Sequence, residues 1–204
     1  MPFYSDRPGA ALRFGDVIQG FQHPTVRIDA LDHEVDLKLS VSRPQYFAIM
    51  SPCCDIELSA LSLAPLTPVR DNMVLNYPRL RQNLTQFNIK FPPKEGLTAE
   101  QIAKQSPEKQ AELLAQGPTY SFLDCFVYEQ NGLFPTYPVT RSSKVLATSE
   151  YRMVDFKSMF RIDCRLIERG KEVPQGLKVS ELSEDTRAQL RDKLSYYFGR
   201  LPDV

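Results

Sequence analysis

With 204 residues, and 25 basic side chains balanced by 25 acidic ones, the chain can bury an ordinary core without staples and carries no net field that would draw it to a polyanion. Its four cysteines lack paired metal-ligand spacing, and the adjacency of Cys53 and Cys54 gives no small secreted disulfide pattern, so a reducing cytoplasm is the expected home. No apolar segment follows Met1 and no apolar run approaches membrane-spanning length, so neither secretion nor membrane insertion is indicated.

Sixteen prolines, many at segment ends (Pro24, Pro44, Pro52, Pro65, Pro68, Pro78, Pro118), favour an all-β or α+β domain of short strands with peripheral helices. Residues 1–12 read as a loose arm broken by Pro2, Pro8 and Gly9. Arg13 to Phe21 alternates around a Gly-Asp turn and then runs extended. Thr25 to Ile28 and Val35 to Val41 predict a hairpin. Tyr46 to Met50 is a nearly continuous apolar run, Ser51-Pro52 ends it, and Leu61 to Leu66 resumes the alternation. That is the pattern of two central barrel strands around a polar corner. Arg43 and Thr67 then stand at the barrel's rim, where chemistry is usually carried.

After Thr67 the pattern changes, and 70–119 reads as a helical insertion. Asn72 to Leu84 predicts a helix that Pro78 kinks or confines to the part beyond it. Phe91-Pro92-Pro93 reads as a linker. Thr98 with Gln101 opens one short helix, and Ser106-Pro107 opens a second that runs to Gly117-Pro118. Ser121 to Tyr128 is a strongly apolar strand, and Asn131-Gly132 is a hairpin signal returning it through Leu133 to Val139. Arg152 to Phe156 and Phe160 to Ile167 are two more extended runs. Ser183 caps a closing helix whose Leu190, Leu194, Tyr197 and Phe198 form an apolar stripe before Gly199. The expected organisation is one domain, with 13–69 and 120–204 forming an α+β, mainly β barrel and its closing helix.

Several of these segments stand in a familiar order: Gly15-Asp16-Val17, then Arg43-Pro44 opening the run to Ser51, then Leu63-Ala64-Pro65-Leu66-Thr67. Asp155, Ile162-Asp163-Cys164-Arg165-Leu166 and Leu182-Ser183 follow. In this order and spacing the chain resembles the MazF/PemK toxins, whose fold is an SH3-like barrel of the MazF/PemK/CcdB type. The resemblance implies a homodimeric endoribonuclease that cuts single-stranded RNA without metal or other cofactor and is held by an antitoxin partner. It assigns catalysis to Arg43 and Thr67.

The chemistry suits those groups. Attack of a 2′-hydroxyl on its own phosphate builds charge on the equatorial oxygens, which a guanidinium can fork and a hydroxyl can supplement. Ser51 and Asp55 at the corner, and the basic Arg79 and Arg81, are the candidate substrate-binding residues. Departures from the family pattern are the two thiols and two acids of Ser51 to Glu57, and the length of the insertion. The alternative is a non-catalytic barrel acting as an interaction subunit of a bacterial defence assembly. Cys53 and Cys54 also admit a zinc site with Cys125, Cys164 or His33, or a nucleophile served by His23 or His33, although core and corner thiols are the simpler reading. Tyr120, Phe122, Phe126 and Tyr128 read as core because they fall in one continuous strand rather than interleaving with basic residues.

Overall fold

The computed structural model describes residues 2–9, 11–20, 23–31, 34–42, 46–51, 60–77, 79–92, 97, 99–163 and 177–199. The protein is α+β and mainly β, with eleven strands and four α-helices among the described residues. It divides into two compact units. One joins Pro2–Leu66 to Ser158–Ser183, and the other joins Thr67–Lys157 to the C-terminal helix.

In the first unit the Gly-Asp turn works as its sequence predicts. Gly15 sits at φ 85°, a left-handed conformation that a side chain would strain. The Asp16 carboxylate accepts from the Arg13 N–H at 2.8 Å, closing the turn. Strand β1 (Val17–Gln19) leaves it and ends at Gly20, φ 104°. It lies between β4 (Tyr46–Ile49) and β11 (Leu177–Ser180), antiparallel to both. β4 is buried at every position, as its unbroken apolar run requires.

β5 (Ala60–Pro68) pairs with β4 through Phe47↔Pro65, Ala48↔Ala64 and Ile49↔Leu63. Its other neighbour here, β10 (Phe160–Asp163), pairs with Ala60 to Leu63. Pro65, which has no N–H to give a ladder, therefore stands beyond the end of that pairing. The resulting order, β11-β1-β4-β5-β10, is antiparallel throughout, and among the described residues no pairing closes it into a barrel. Ile18, Phe47, Ile49, Leu61 and Leu63 are its fully buried core, with Phe160 packed edge-on against Phe47 at 5.8 Å. The predicted hairpin is present as β2 (His23–Leu31) and β3 (Glu34–Ser42), a two-stranded sheet in unbroken register from His23↔Ser42 to Leu31↔Glu34.

The second unit departs further from expectation. β6 (Cys125–Tyr128) does not return through Asn131-Gly132; it pairs antiparallel with β9 (Arg152–Asp155), from Cys125↔Asp155 to Tyr128↔Arg152. Asn131 instead folds the chain locally, its side-chain oxygen accepting from the Leu133 N–H at 3.0 Å and its carbonyl from Phe134 at 2.7 Å. The tight hairpin lies further on, between β7 (Tyr137–Arg141) and β8 (Lys144–Ser149). Ser142 and Ser143 turn it at φ 49° and 64°, the positive angles that a two-residue turn demands.

The helix near Pro78 also lies elsewhere. α1 (Asp71–Leu75) precedes the proline, and the chain beyond it forms a 3₁₀ turn at Leu84–Asn88. A proline pushes the residue before it out of the helical region, so the helix ends on the near side. Phe91 is buried and bridged in both directions to Thr119, at 3.1 and 3.2 Å, rather than lying in a free linker. α2 (Ala99–Ala103) and α3 (Pro107–Ala115) follow, the second capped by the Ser106 hydroxyl accepting from the Lys109 N–H at 3.3 Å.

Residues of 70–91 supply five of the eleven buried residues of one core cluster in this unit, Met73, Val74, Leu84, Phe87 and Phe91. Met73, Phe87, Cys125, Val127 and Val139 are fully buried together, and the ring of Phe87 meets Tyr77 and Phe122 edge-on at 5.0 Å each. Asn88 is buried too. Its amide exchanges two hydrogen bonds with the backbone of Val127, 2.7 and 2.6 Å, doing for β6 what a neighbouring strand would do. The closing helix, α4 (Glu184–Phe198), starts where Ser183 predicts, but its buried face is Thr186, Arg187, Leu190 and Lys193. Phe198 is 63% exposed.

Candidate functional site

Of the residues expected to act on RNA, Arg43 and Asp55 lie outside the described residues, as do Cys53 and Cys54. Ser51 is buried, and its hydroxyl oxygen accepts from the Ser62 N–H at 2.7 Å, tying the chain just after β4 to β5. Thr67, half-buried near the end of β5, donates its hydroxyl to the Met153 carbonyl at 3.4 Å, a long and weak bond. Arg79 and Arg81 are both exposed, and Arg81 Nε reaches the Val74 carbonyl at 3.4 Å. Tyr120 is half-buried rather than core, and its strand begins only at Cys125.

Three charged constellations emerge that alternation and motif spacing did not reveal. The first explains the Gly-Asp motif. Lys178 on β11 places its ammonium 2.7 Å from Asp16 and 2.7 Å from Glu181, inside the first unit. Glu181 also accepts from the Gly9 N–H at 2.8 Å and pairs with Arg13 at 3.3 Å. Burial pushes the Asp16 carboxyl above its ordinary range against the pull of Lys178. Burial also works against charge on Glu181, but hydrogen bonds from Lys178 and Gly9 outweigh it and hold that carboxyl low. The cluster locks the N-terminal arm and the first turn to β11.

The second lies in the other unit. Arg70, extended ahead of α1, forks onto Asp124 with bonds of 3.0 and 2.8 Å and reaches Asp155 at 3.3 Å. Lys157 stands 3.7 Å from the same Asp124. The hydrogen bond from Arg70 holds the Asp124 carboxyl below the usual range, and the same bond raises the pKa of Arg70 further. A guanidinium whose fork is already filled by a carboxylate ties the chain ahead of α1 to Asp124, next to β6, and to the end of β9; it is not poised to grip a phosphate.

The third is a fully buried lysine. Lys193 on α4 is 0% exposed, its Nζ donating to the Phe87 carbonyl at 2.5 Å and lying 5.2 Å from the centre of the Tyr120 ring. Burial brings its pKa down to about 8. Nearby Cys125, also 0% exposed, has its thiol pushed up to about 11 by burial. A thiol so raised stays protonated at neutral pH and is inert as a nucleophile, so Cys125 is a core residue. Among the described residues no group of three His, Cys, Asp or Glu side chains could hold a metal ion.

The class defined by this architecture is an α+β, mainly β protein built on an antiparallel sheet, with a C-terminal helix. No helix among the described residues is long and apolar enough to cross a membrane. Compared with protein-family models, curated proteins and solved structures, the chain matches none of them.

Proposed function

We propose that the chain is a divergent relative of the MazF/PemK toxins that cleaves single-stranded RNA at a rim formed by Arg43 and Thr67. One observation supports this reading. The segments that carry the likeness, Val17 on β1, Tyr46–Ile49 on β4, Leu63 to Leu66 on β5 and Ile162 on β10, belong to successive neighbours of one antiparallel sheet. An SH3-like barrel, a homodimer and an antitoxin partner belong to the same proposal.

In this reading the 2′-hydroxyl attacks the adjacent phosphorus and the 5′-oxygen leaves with a proton, giving a 2′,3′-cyclic phosphate and a 5′-hydroxyl. Arg43 forks onto the non-bridging oxygens as their charge grows, and Thr67 adds a donor. Its 3.4 Å bond to Met153 is weak enough to exchange for a phosphate oxygen. The same bond favours the second reading, a non-catalytic interaction module in which Thr67 is an ordinary strand-end hydroxyl.

Incubation of the purified protein with single-stranded RNA, beside Arg43→Ala and Thr67→Val, separates the two. The ribonuclease reading expects cyclic-phosphate ends from the wild type and a loss of about 100-fold or more in Arg43→Ala. Equal inertness of all three proteins leaves the interaction module.

A further inference from the structure

The second unit carries an open, cleft-like cavity of about 570 Å³ on its surface, within the range of small-ligand sites, about 300–1,000 Å³. One wall is a single face of α4, carrying Gln189, Asp192, Ser195 and Tyr196. Tyr120 and Lys90 stand among the other lining residues. The two tyrosine rings are 5.5 Å apart and tilted by 59°. The Lys90 ammonium lies 4.4 Å from the centre of the Tyr196 ring and 5.5 Å from that of Tyr120.

The frame behind these groups is stiff. Asn88 is clamped to Val127 by two hydrogen bonds, Thr119 is bridged to Phe91, and the buried Lys193 backs the Tyr120 ring. Tyr196 is nevertheless 48% exposed. Such an aromatic surface, in a concave site beside a cation and backed by a fixed frame, suits a planar ring.

We infer that this cavity binds an unpaired guanine nucleotide, its base stacked on Tyr196 or Tyr120, its phosphate met by Lys90 and its Watson–Crick edge read by Asp192. Tyrosine faces accept any base, so they give affinity without choice. A lysine ammonium is a mobile point charge, able to leave the rings for a phosphate. Asp192 supplies the selectivity. A carboxylate only accepts, at two oxygens side by side. Guanine alone among the four RNA bases presents two adjacent N–H donors, N1 and the exocyclic N2, on that edge. Adenine, cytosine and uracil each set an acceptor beside their donor, which the carboxylate repels. The inference goes beyond RNA cleavage and does not need it, because a mononucleotide has no internucleotide bond to cut.

Calorimetric titration of the full chain with GMP, AMP, CMP, UMP and inorganic phosphate tests it. GMP should bind, with the other three nucleotides about tenfold or more weaker and phosphate weaker still. Tyr196→Ala should weaken GMP about tenfold or more, and Asp192→Asn should abolish the preference for guanine while retaining binding. Lys90→Gln should bring GMP down to the affinity of guanosine. Circular dichroism verifies that each surface variant is folded. A deoxy-oligonucleotide with one unpaired G binding more tightly than GMP would identify the source as a nucleic-acid strand, and the reverse order a free nucleotide. Absence of nucleotide binding, equal binding of all four, or full affinity in Tyr196→Ala would each overturn the inference. A failed titration would leave the cleavage reading standing, and an inert Arg43→Ala comparison would leave the cavity standing.

Discussion

Each unit takes a lysine out of water, Lys178 for the most part and Lys193 completely, and they do so by opposite means. Lys178 enters with two carboxylates, Asp16 and Glu181, at 2.7 Å each. Lys193 enters with one backbone carbonyl, that of Phe87, and aromatic surroundings. A charge taken out of water must be paired or give up its proton. The first unit follows the former course, and the second brings its lysine down to about pH 8. A paired buried ammonium makes its partners indispensable, whereas a lone one is a stability cost that an apolar residue would relieve.

Substitution breaks this comparison most strongly at Asp16. Asp16→Ala removes a partner of Lys178 and the cap of the Arg13 turn, and should cost about 3–5 kcal/mol in urea unfolding. A cost below about 1 kcal/mol would show that Glu181 alone compensates the lysine.

Lys193→Met should have the opposite sign at pH 7. Relief of a pKa depression from 10.5 to about 8 is worth about 3 kcal/mol, reduced by about 1 kcal/mol for the lost hydrogen bond to Phe87. A destabilised variant would mean that the ammonium carries its charge in the fold without penalty.

The pH dependence sharpens the same point. The fold favours the neutral amine of Lys193, so this contribution is greatest above 10.5 and is lost as pH falls towards about 8. Cys125, raised from 9.0 to about 11, favours its neutral thiol and loses its contribution as pH climbs through that window. Stability should therefore rise from pH 8 to 9 by less than the about 1.4 kcal/mol per pH unit of one fully titrating group, because folded Lys193 is already half neutral at pH 8 and Cys125 begins to oppose it, then level as the two effects cancel. In Lys193→Met the rise should vanish, and its persistence would locate the titrating group elsewhere.

The smallest effect is expected at Asp124. Its side chain is 25% exposed, so Asp124→Asn should cost only about 1 kcal/mol despite two bonds from Arg70. The stability it removes should be the part lost by the wild type as pH falls through and below the ordinary carboxylate range, because the folded carboxyl is held low.

Local signals carried far along the chain. Gly15 and Asp16 marked the opening turn, the apolar run marked β4, and Ser106-Pro107 marked the start of α3. They misled where a local preference had a local outlet. Asn131-Gly132 satisfied itself in a short turn, leaving β6 for a partner some two dozen residues away, and the hairpin formed at Ser142-Ser143, which has no glycine to announce it. The spacing on α4 predicts a stripe of Leu190, Leu194, Tyr197 and Phe198, whereas the fold buries only Leu190 of these and adds Lys193. No alternation rule places a lysine in a core, because the carbonyl that accepts its hydrogen bond lies 106 residues away.

The residues by themselves therefore determined the mainly β character, the order of most elements, the cap that starts α3 and the start of α4, since turn geometry, alternation and capping act over a few positions. Only the tertiary structure decided which strand β6 would meet, that Asp16 would serve Lys178, and that Lys90, Tyr120 and Tyr196 would share one cavity. Those outcomes depend on contacts between distant segments, whose energies no short window of sequence contains.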